Sequence, residues 1–471
     1  MKGMVAAGHP LTAEAGARVL RAGGNAVDAA VAAMLVSWVA EPLLTGPGAG
    51  GYMLVAGAGE QETLLDFFVA APGFGAQAQP APLTPIRVSF GDAEQIFNVG
   101  ASSCGAYGNP AGIEEAARRW GTIPLAELAA PAAALAREGV TLNAQQAYIF
   151  EILAGILAGV DRFAPGGAPL CEGDLFRDEE LGATIERLGA EGAAPFYIGD
   201  IAAAVIAELE PRGGVLTADD LERYAAVPRD PVRVTYRGRD VLTNPPPNAG
   251  GTLLAMAMEQ LDGTEGVPDA VVLAGVMEAV QAQRTPEFVS RLGSTTHISV
   301  LDAEGRACSV TCTNGEGSGI VVPGTGIHVN NIMGEEDLNP LGFHAFPPGR
   351  RMPSMMAPTV VQGTDGVELV VGSAGSNRIR SAILQTIVGV VDRGLSAVEA
   401  VEAPRLHFED GVIFTEPGID VDALEAAGRD VSPFRARNLF FGGVQAVERD
   451  PQTGAVTGAG DPRRGGAAVA A

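Results

Sequence analysis

Lysine is almost missing from this chain: Lys2 is the only one in 471 residues, and every other fixed cation is an arginine. That scarcity excludes a P-loop lysine, a Schiff-base lysine and an SxxK serine nucleophile together. Cysteine is scarce too. Cys104, Cys171, Cys308 and Cys312 are too few and too scattered for a disulfide framework or a CxxC zinc site. The histidines contain no HExxH pattern, so no metal and no organic cofactor is implied. No apolar segment follows Met1–Met4, so no secretory signal is read and a cytoplasmic protein is expected. The most apolar run, Ala29–Ala40, is too short to span a membrane and reads as a buried helix. Positive charge is in short supply overall. With 31 basic against 56 acidic residues the net charge is −25, a field that repels phosphate backbones and anionic lipid, so neither nucleic acid nor membrane is an expected partner.

What is present is apolar: 47% hydrophobic residues against 18% charged ones specify a globular fold. Length alone permits roughly two or three domains, but no repeat, linker or charge block divides the chain, which reads as one α/β unit. The first half is mostly helical. Thr12 is placed to cap a helix that stops at Gly23-Gly24, and a second helix covers Ala26–Val39. Further helices fit Pro110–Trp120, Pro124–Glu138, Gln145–Leu157 and Ile201–Leu209, joined by Gly/Pro-rich segments such as Asn244–Gly251 (NPPPNAGG). The second half changes period. Thr296–Asp302 and Ala307–Thr313 alternate about an Ala-Glu-Gly turn, and Pro358–Gln362 with Val367–Gly372 repeats the hairpin pattern. A helix over Arg378–Asp392 follows, and Ser396 with Glu399 forms a capping box for the next.

The first hairpin carries the chemistry. If Asp302 pairs with Arg306, Thr295 falls opposite Thr313 and His297 opposite Thr311, and the strand period puts all four on one face. Threonines in strands are commonly no more than β-branched packing. Two features argue for more. Gly293-Ser294 is a small, flexible approach that lets the Thr295 hydroxyl reach the preceding carbonyl. Downstream, Val371–Arg378 (VGSAGSNR) runs from strand to helix, where the N–H groups of Gly375 and Ser376 would point outward to stabilise an oxyanion. The GxGxxG at Gly46, Gly48 and Gly51 has no enclosing βαβ unit and reads as a close-packed glycine loop. Cys308 and Cys312 read as buried thiols on one strand face, and His297 as structural support for its neighbour.

Several segments together resemble the γ-glutamyltransferase family: Gly3–Ala33, Thr45–Gly51 (TGPGAGG), NPPPNAGG, Thr295–Val300 (TTHISV), Ser318–Val321, Asn330-Asn331, Gly372–Ile379 and Asp461–Ala468 (DPRRGGAA). The resemblance spans nearly the whole chain. It implies an αββα N-terminal-nucleophile hydrolase sandwich formed by two interleaved fragments of one precursor. Residues 1–294 would be the large portion and 295–471 the small one, with self-cleavage between Ser294 and Thr295. A threonine hydroxyl is a weak nucleophile, but the freed α-amino group, with a pKa of roughly 7.7–8.0, can take its proton.

By position the resemblance gives Thr295 as nucleophile, Thr313 as its orienting partner and Gly375 with Ser376 as oxyanion hole. It gives Asn314, Glu335 and Ser354 as substrate-binding residues. Arg378 joins them on a different ground, because a cation at a helix start is otherwise unfavourable. Three departures stand out. Phe68 follows Asp66-Phe67 where the family has a carboxylate-binding arginine, the loop after Thr313 is shorter so that Asn314 is an approximate match, and Gly251–Ser294 is short. The expected reaction is hydrolysis or transfer of a γ-glutamyl group from a glutathione-type amide to water or an amine. An acylase acting on a glutaryl or other N-acyl amide, and an uncleaved small-molecule-binding relative, are the alternatives. The partners implied are the small-molecule amide, the acceptor and the two fragments themselves, with a homo-oligomer also compatible.

Overall fold

The computed structural model describes residues 1–76, 78–89, 94–283, 295–339 and 341–471, so Gly293 and Ser294 lie outside the described residues. The central strands of the first sheet are buried on both faces, and their side chains divide between the two with period two. In the strand Thr296–Asp302, Ile298 and Val300 face one way and His297, Ser299 and Leu301 the other; in Arg306–Thr313, Cys308, Val310 and Cys312 share the first face. The hairpin adopts the expected register, with His297 opposite Thr311 and Leu301 opposite Ala307. Seven antiparallel strands complete this sheet in the order Ala467–Ala470, Gly3–Ala7, Thr296–Asp302, Arg306–Thr313, Gly50–Gly57, Thr63–Phe67 and Val227–Arg229. A second antiparallel sheet of six runs Val456–Gly460, Gly443–Arg449, Gly366–Ala374, Thr359–Gly363, Arg239–Thr243 and Val232–Tyr236. In both sheets strands from before and after residue 294 lie side by side.

The sheets stack face to face, pinned across the gap by the Ser299 hydroxyl donating to the Gln445 carbonyl (3.0 Å) and Ser309 donating to the Val371 carbonyl (3.2 Å). Helices Pro10–Ala22 and Ala26–Ala40 cover the outer face of the first sheet, and Ala249–Asp262 with Arg378–Val391 pack on the second. The layers are therefore α, β, β, α. Ala26–Ala40 is buried at every position, which is why it carries no polar stripe. Its one charge, Asp28, is held by the N–H of Asn25 and Thr122 at 3.0 and 2.8 Å. Among the described residues no single helix is long and apolar enough to cross a membrane.

Some local expectations are corrected. His9, not Thr12, caps the first helix, its Nδ1 accepting from the Leu11 N–H at 3.1 Å; Thr12 instead donates its hydroxyl to Glu41 (2.9 Å). The helix read over Gln145–Leu157 is two, Ala144–Ile152 and Ala154–Leu157. Glu179–Glu191, Ala249–Asp262 and Ala270–Ala282 are helices that the sequence reading did not pick out. The glycine loop is packed as expected, with Gly51 against the Thr311 carbonyl.

Gly372 has a specific reason. A methyl group there would overlap the imidazole of His297, which lies flat on the second sheet beside the strand that begins at Thr296. Gly372→Ala is expected to cost about 2–3 kcal/mol in urea unfolding, as overpacking of a rigid core does. An unchanged midpoint would show that the ring can move aside.

Candidate active site

Thr295 is 3% exposed and stands just before the central hairpin strand, where two cavities meet. The first gathers residues from six separate stretches of chain: Phe68, Thr295, Thr313, Glu335, Ser354 with Met355, and Ser376. Most of the residues singled out from the sequence therefore converge. The sheet explains the first two, because the hairpin register that pairs His297 with Thr311 carries Thr295 towards Thr313. Thr313 Oγ1 accepts from the Gly315 N–H at 3.0 Å, which fixes its rotamer. Ser354 is fixed from behind. Its carbonyl accepts from the N–H groups of Ala249 and Gly250 (3.0 and 3.1 Å), and its hydroxyl accepts from Met356 N–H at 3.0 Å. The approach is so close that a side chain at Gly250 would overlap the Met355 carbonyl, which accounts for the Asn-Ala-Gly-Gly opening of that helix.

Gly375 has φ +109° and Ser376 φ 56°, so the chain turns through the left-handed region before Arg378–Val391 begins. Ser376 tolerates this at some backbone cost. Neither N–H of the pair has an acceptor among the described residues, and both lie at the positive end of a 14-residue helix. That is the arrangement an oxyanion needs.

Phe68 occupies the place the resemblance assigns to an arginine. It is fully buried and stacks on Tyr52 with ring centroids 5.5 Å apart. The acid before it survives: Asp66 is bound by Arg229 at 2.8 Å and Arg351 at 3.3 Å, and turns the chain by accepting from the Phe68 N–H. Among the described residues no arginine or lysine lines the cavity; its remaining walls are Ile332, Leu338, Met356 and Ile379. Two candidates fall elsewhere. Arg378 donates to the Phe440 carbonyl (2.8 Å) and lies over the Phe440 ring, so it lines neither cavity. Asn314 donates to the His328 carbonyl at 3.1 Å and also lines neither. His297 spends both nitrogens on Thr311 (2.8 Å) and Ser299 (3.0 Å), and burial pushes its pKa down to about 3, so the ring is neutral at ordinary pH. The buried thiols of Cys308 and Cys312 are raised by desolvation and are inert. Among the described residues no group of His, Cys, Asp or Glu is placed to hold a metal ion.

Two residues of the site carried no sequence signal of their own. Glu41 is buried and accepts hydroxyl protons from Thr296 (2.6 Å) and Thr12 (2.9 Å). Arg464 lines the second cavity beside Thr295, Glu41 and Ala374. Glu41 follows the all-buried helix, and Arg464 lies within DPRRGGAA.

Burial pushes the Glu41 carboxyl up to about 7, against the two hydroxyls and the Arg464 charge, which favour its ionised form. Its ordinary value is 4.5. Between those values the folded chain keeps a proton that the unfolded chain releases, so this residue's contribution to stability falls as pH rises through the window and levels off above it. Glu41→Gln should remove that fall, gaining about 3 kcal/mol relative to wild type on going from pH 4.5 to pH 8. Parallel slopes for the two proteins in urea titrations across this range would refute it.

Two stacked antiparallel sheets between helices, with a buried threonine at the head of a central strand and a backbone nest facing it, define an N-terminal-nucleophile hydrolase fold. The chain belongs to the gamma-glutamyltranspeptidase family, whose model matches residues 12–286 and 276–471. It is 30% identical over 538 residues to the glutathione hydrolase proenzyme of Bacillus subtilis (strain 168), covering 99% of this chain and 91% of that one. It is 33% identical over 527 residues to the acylase ACY 1 proenzyme of Pseudomonas sp. (strain SE83), covering 100% and 93%. Among solved structures the cephalosporin acylase from Bacillus halodurans superimposes with a TM-score of 0.84 at 26% identity, covering 100% and 96% of the two chains.

Proposed function

We propose that this chain is a self-cleaving threonine amidohydrolase that acylates Thr295 and passes an apolar N-acyl group to water or an amine. The observation that carries this reading is the cavity in which Thr295, Thr313 and Ser376 meet Phe68, Met355 and other apolar walls, with no arginine or lysine among the described residues that line it. A γ-glutamyl group brings an α-carboxylate, and burying that anion without a cation costs several kcal/mol. The acylases among the relatives agree in kind. In the reaction the Thr295 oxygen bonds to the acyl carbon, the C–N bond breaks, and the hydroxyl proton passes through the freed α-amino group to the departing nitrogen. Gly375 and Ser376 N–H groups take the carbonyl oxygen's charge.

The second reading, γ-glutamyl transfer, draws on Glu335 and Ser354 in the same cavity and on the Bacillus subtilis relative. A panel of γ-glutamyl, glutaryl and unbranched aliphatic acyl p-nitroanilides separates them. Turnover of the aliphatic members, with the γ-glutamyl compound slower by about 100-fold or more, is expected. A γ-glutamyl preference would overturn the apolar assignment. An uncut chain that cleaves none of them is a binding protein.

A further inference from the structure

Thr295 borders a second cavity that the acyl group does not use. Its walls include Leu43, Leu44, Phe150, Gln146, Glu41 and Arg464. Arg464 is the unusual member. Its Nε is buried with no hydrogen-bond partner among the described residues, and Nη2 donates to the Leu439 carbonyl at 3.3 Å. Among the described residues it closes no ion pair, although acids stand near. Asp461 is spent on Arg405 (2.8 Å) and Arg463 (3.2 Å), and Glu41 on two threonine hydroxyls. Burial, then repulsion from Arg378, pushes Arg464 down to about 10, which leaves it charged at ordinary pH. Arg464 is half-buried, and the charges of Asp461, Glu316 and Glu41 offset part of its desolvation, but its unbonded Nε remains a donor that a bound anion would engage.

Position says what that anion belongs to. Arg464 Nη2 lies 3.2 Å from where a methyl group on Gly375 would sit, so the guanidinium is next to the oxyanion nest. With the acyl chain in the Phe68–Met355 cavity, the nitrogen substituent of a bound amide must leave Thr295 on the other side, into the Arg464 cavity. A carboxylate two bonds from the nitrogen falls within reach of the guanidinium, while Leu43, Leu44 and Phe150 face the rest of the amine. We propose that Arg464 selects amides whose amine half carries a carboxylate beside an apolar side chain. Arg464 then determines specificity for both the leaving amine and the accepting one. This assignment rests on the threonine amidohydrolase reading.

The test uses the processed enzyme and the best acyl group from the anilide panel, attached to phenylalanine and to phenylalaninamide. Wild type is expected to favour the free carboxylate by about tenfold or more in kcat/KM, mainly through KM, as a charge-assisted bond predicts. Arg464→Gln should erase most of that ratio, and Arg464→Lys should restore part of it. Two results would overturn the assignment: no carboxylate preference in wild type, or a Gln variant that loses equally on both substrates, which would place Arg464 at the reacting centre. Wild type decides the point even if the Gln variant does not fold. If no anilide is cleaved, the amidohydrolase reading itself fails, and the subsite with it; if anilides are cleaved without a carboxylate preference, only the subsite fails.

Discussion

A Thr295→Ala variant is expected to purify as one uncut chain of 48.1 kDa, whereas wild type gives two fragments, the smaller beginning Thr-Thr-His. Amide hydrolysis should fall by about 10³-fold or more, because nucleophile and self-cleaving hydroxyl are one group. The geometry gives no substitute. Thr296 is committed to Glu41, and Thr311 and Ser299 to His297, while Thr313, in the cavity itself, accepts from the Gly315 N–H. His297 is neutral but has both nitrogens bonded, which leaves the α-amino group freed by cleavage as the base. Thr295→Ser keeps the hydroxyl and should still be cut, more slowly or with reduced turnover. Intact mass with N-terminal sequencing reads both variants. Cleavage of the alanine variant at the same bond would move the attacking group elsewhere. An uncut wild type would favour the binding-protein alternative.

How far the sequence could be read follows from the range of the interactions. The hairpin at Thr296–Thr313 was legible to the residue because its register depends on a short turn and on period-two burial, both local. Ala26–Ala40 was legible because an apolar run flanked by Asn25 and Pro42 has few alternatives. Thr12 misled because its hydroxyl answers a distant demand, the Glu41 carboxylate, while an unremarked histidine takes the cap. Ala249–Asp262 is hidden by its own opening: the glycines that suggest a loop let backbone approach, Met355 at Gly250 and Asn244 at Gly251. Glu41 and Arg464 could not be found locally. The partner that defines Glu41 lies 255 residues away, and Arg464 meets the site only because the last strand closes the first sheet. Arg378 stands out on electrostatic grounds, and its side chain packs against the Phe440 ring and carbonyl.

Asp461→Asn should be among the most destabilising single changes outside the hydrophobic core, at about 3–5 kcal/mol, because breaking one partner of a buried ion network strands the rest. Asp461 is fully buried and bonds Arg405, Arg463 and the N–H groups of Val444 and Arg463 at 2.8–3.2 Å; Arg463 in turn holds Glu416. Burial works against its charge, yet the two guanidiniums and the two N–H donors outweigh it and hold the carboxyl below its ordinary 3.8. For an acid so depressed, the stabilisation is complete above the unfolded value and is lost as pH falls through the folded one. The wild-type advantage over the variant should therefore be full at pH 7 and shrink below about pH 4. Replacing the exposed Arg118 beside Glu115 should change nothing measurable. The consequence reaches the site through topology. Asp461 anchors the turn that leads into Ala467–Ala470, the strand beside Gly3–Ala7, which itself borders Thr296–Asp302. A loosened tail should thus slow cleavage before Thr295 as well as lower the urea midpoint. A variant that lost stability but was processed at the wild-type rate would uncouple the tail from the nucleophile strand.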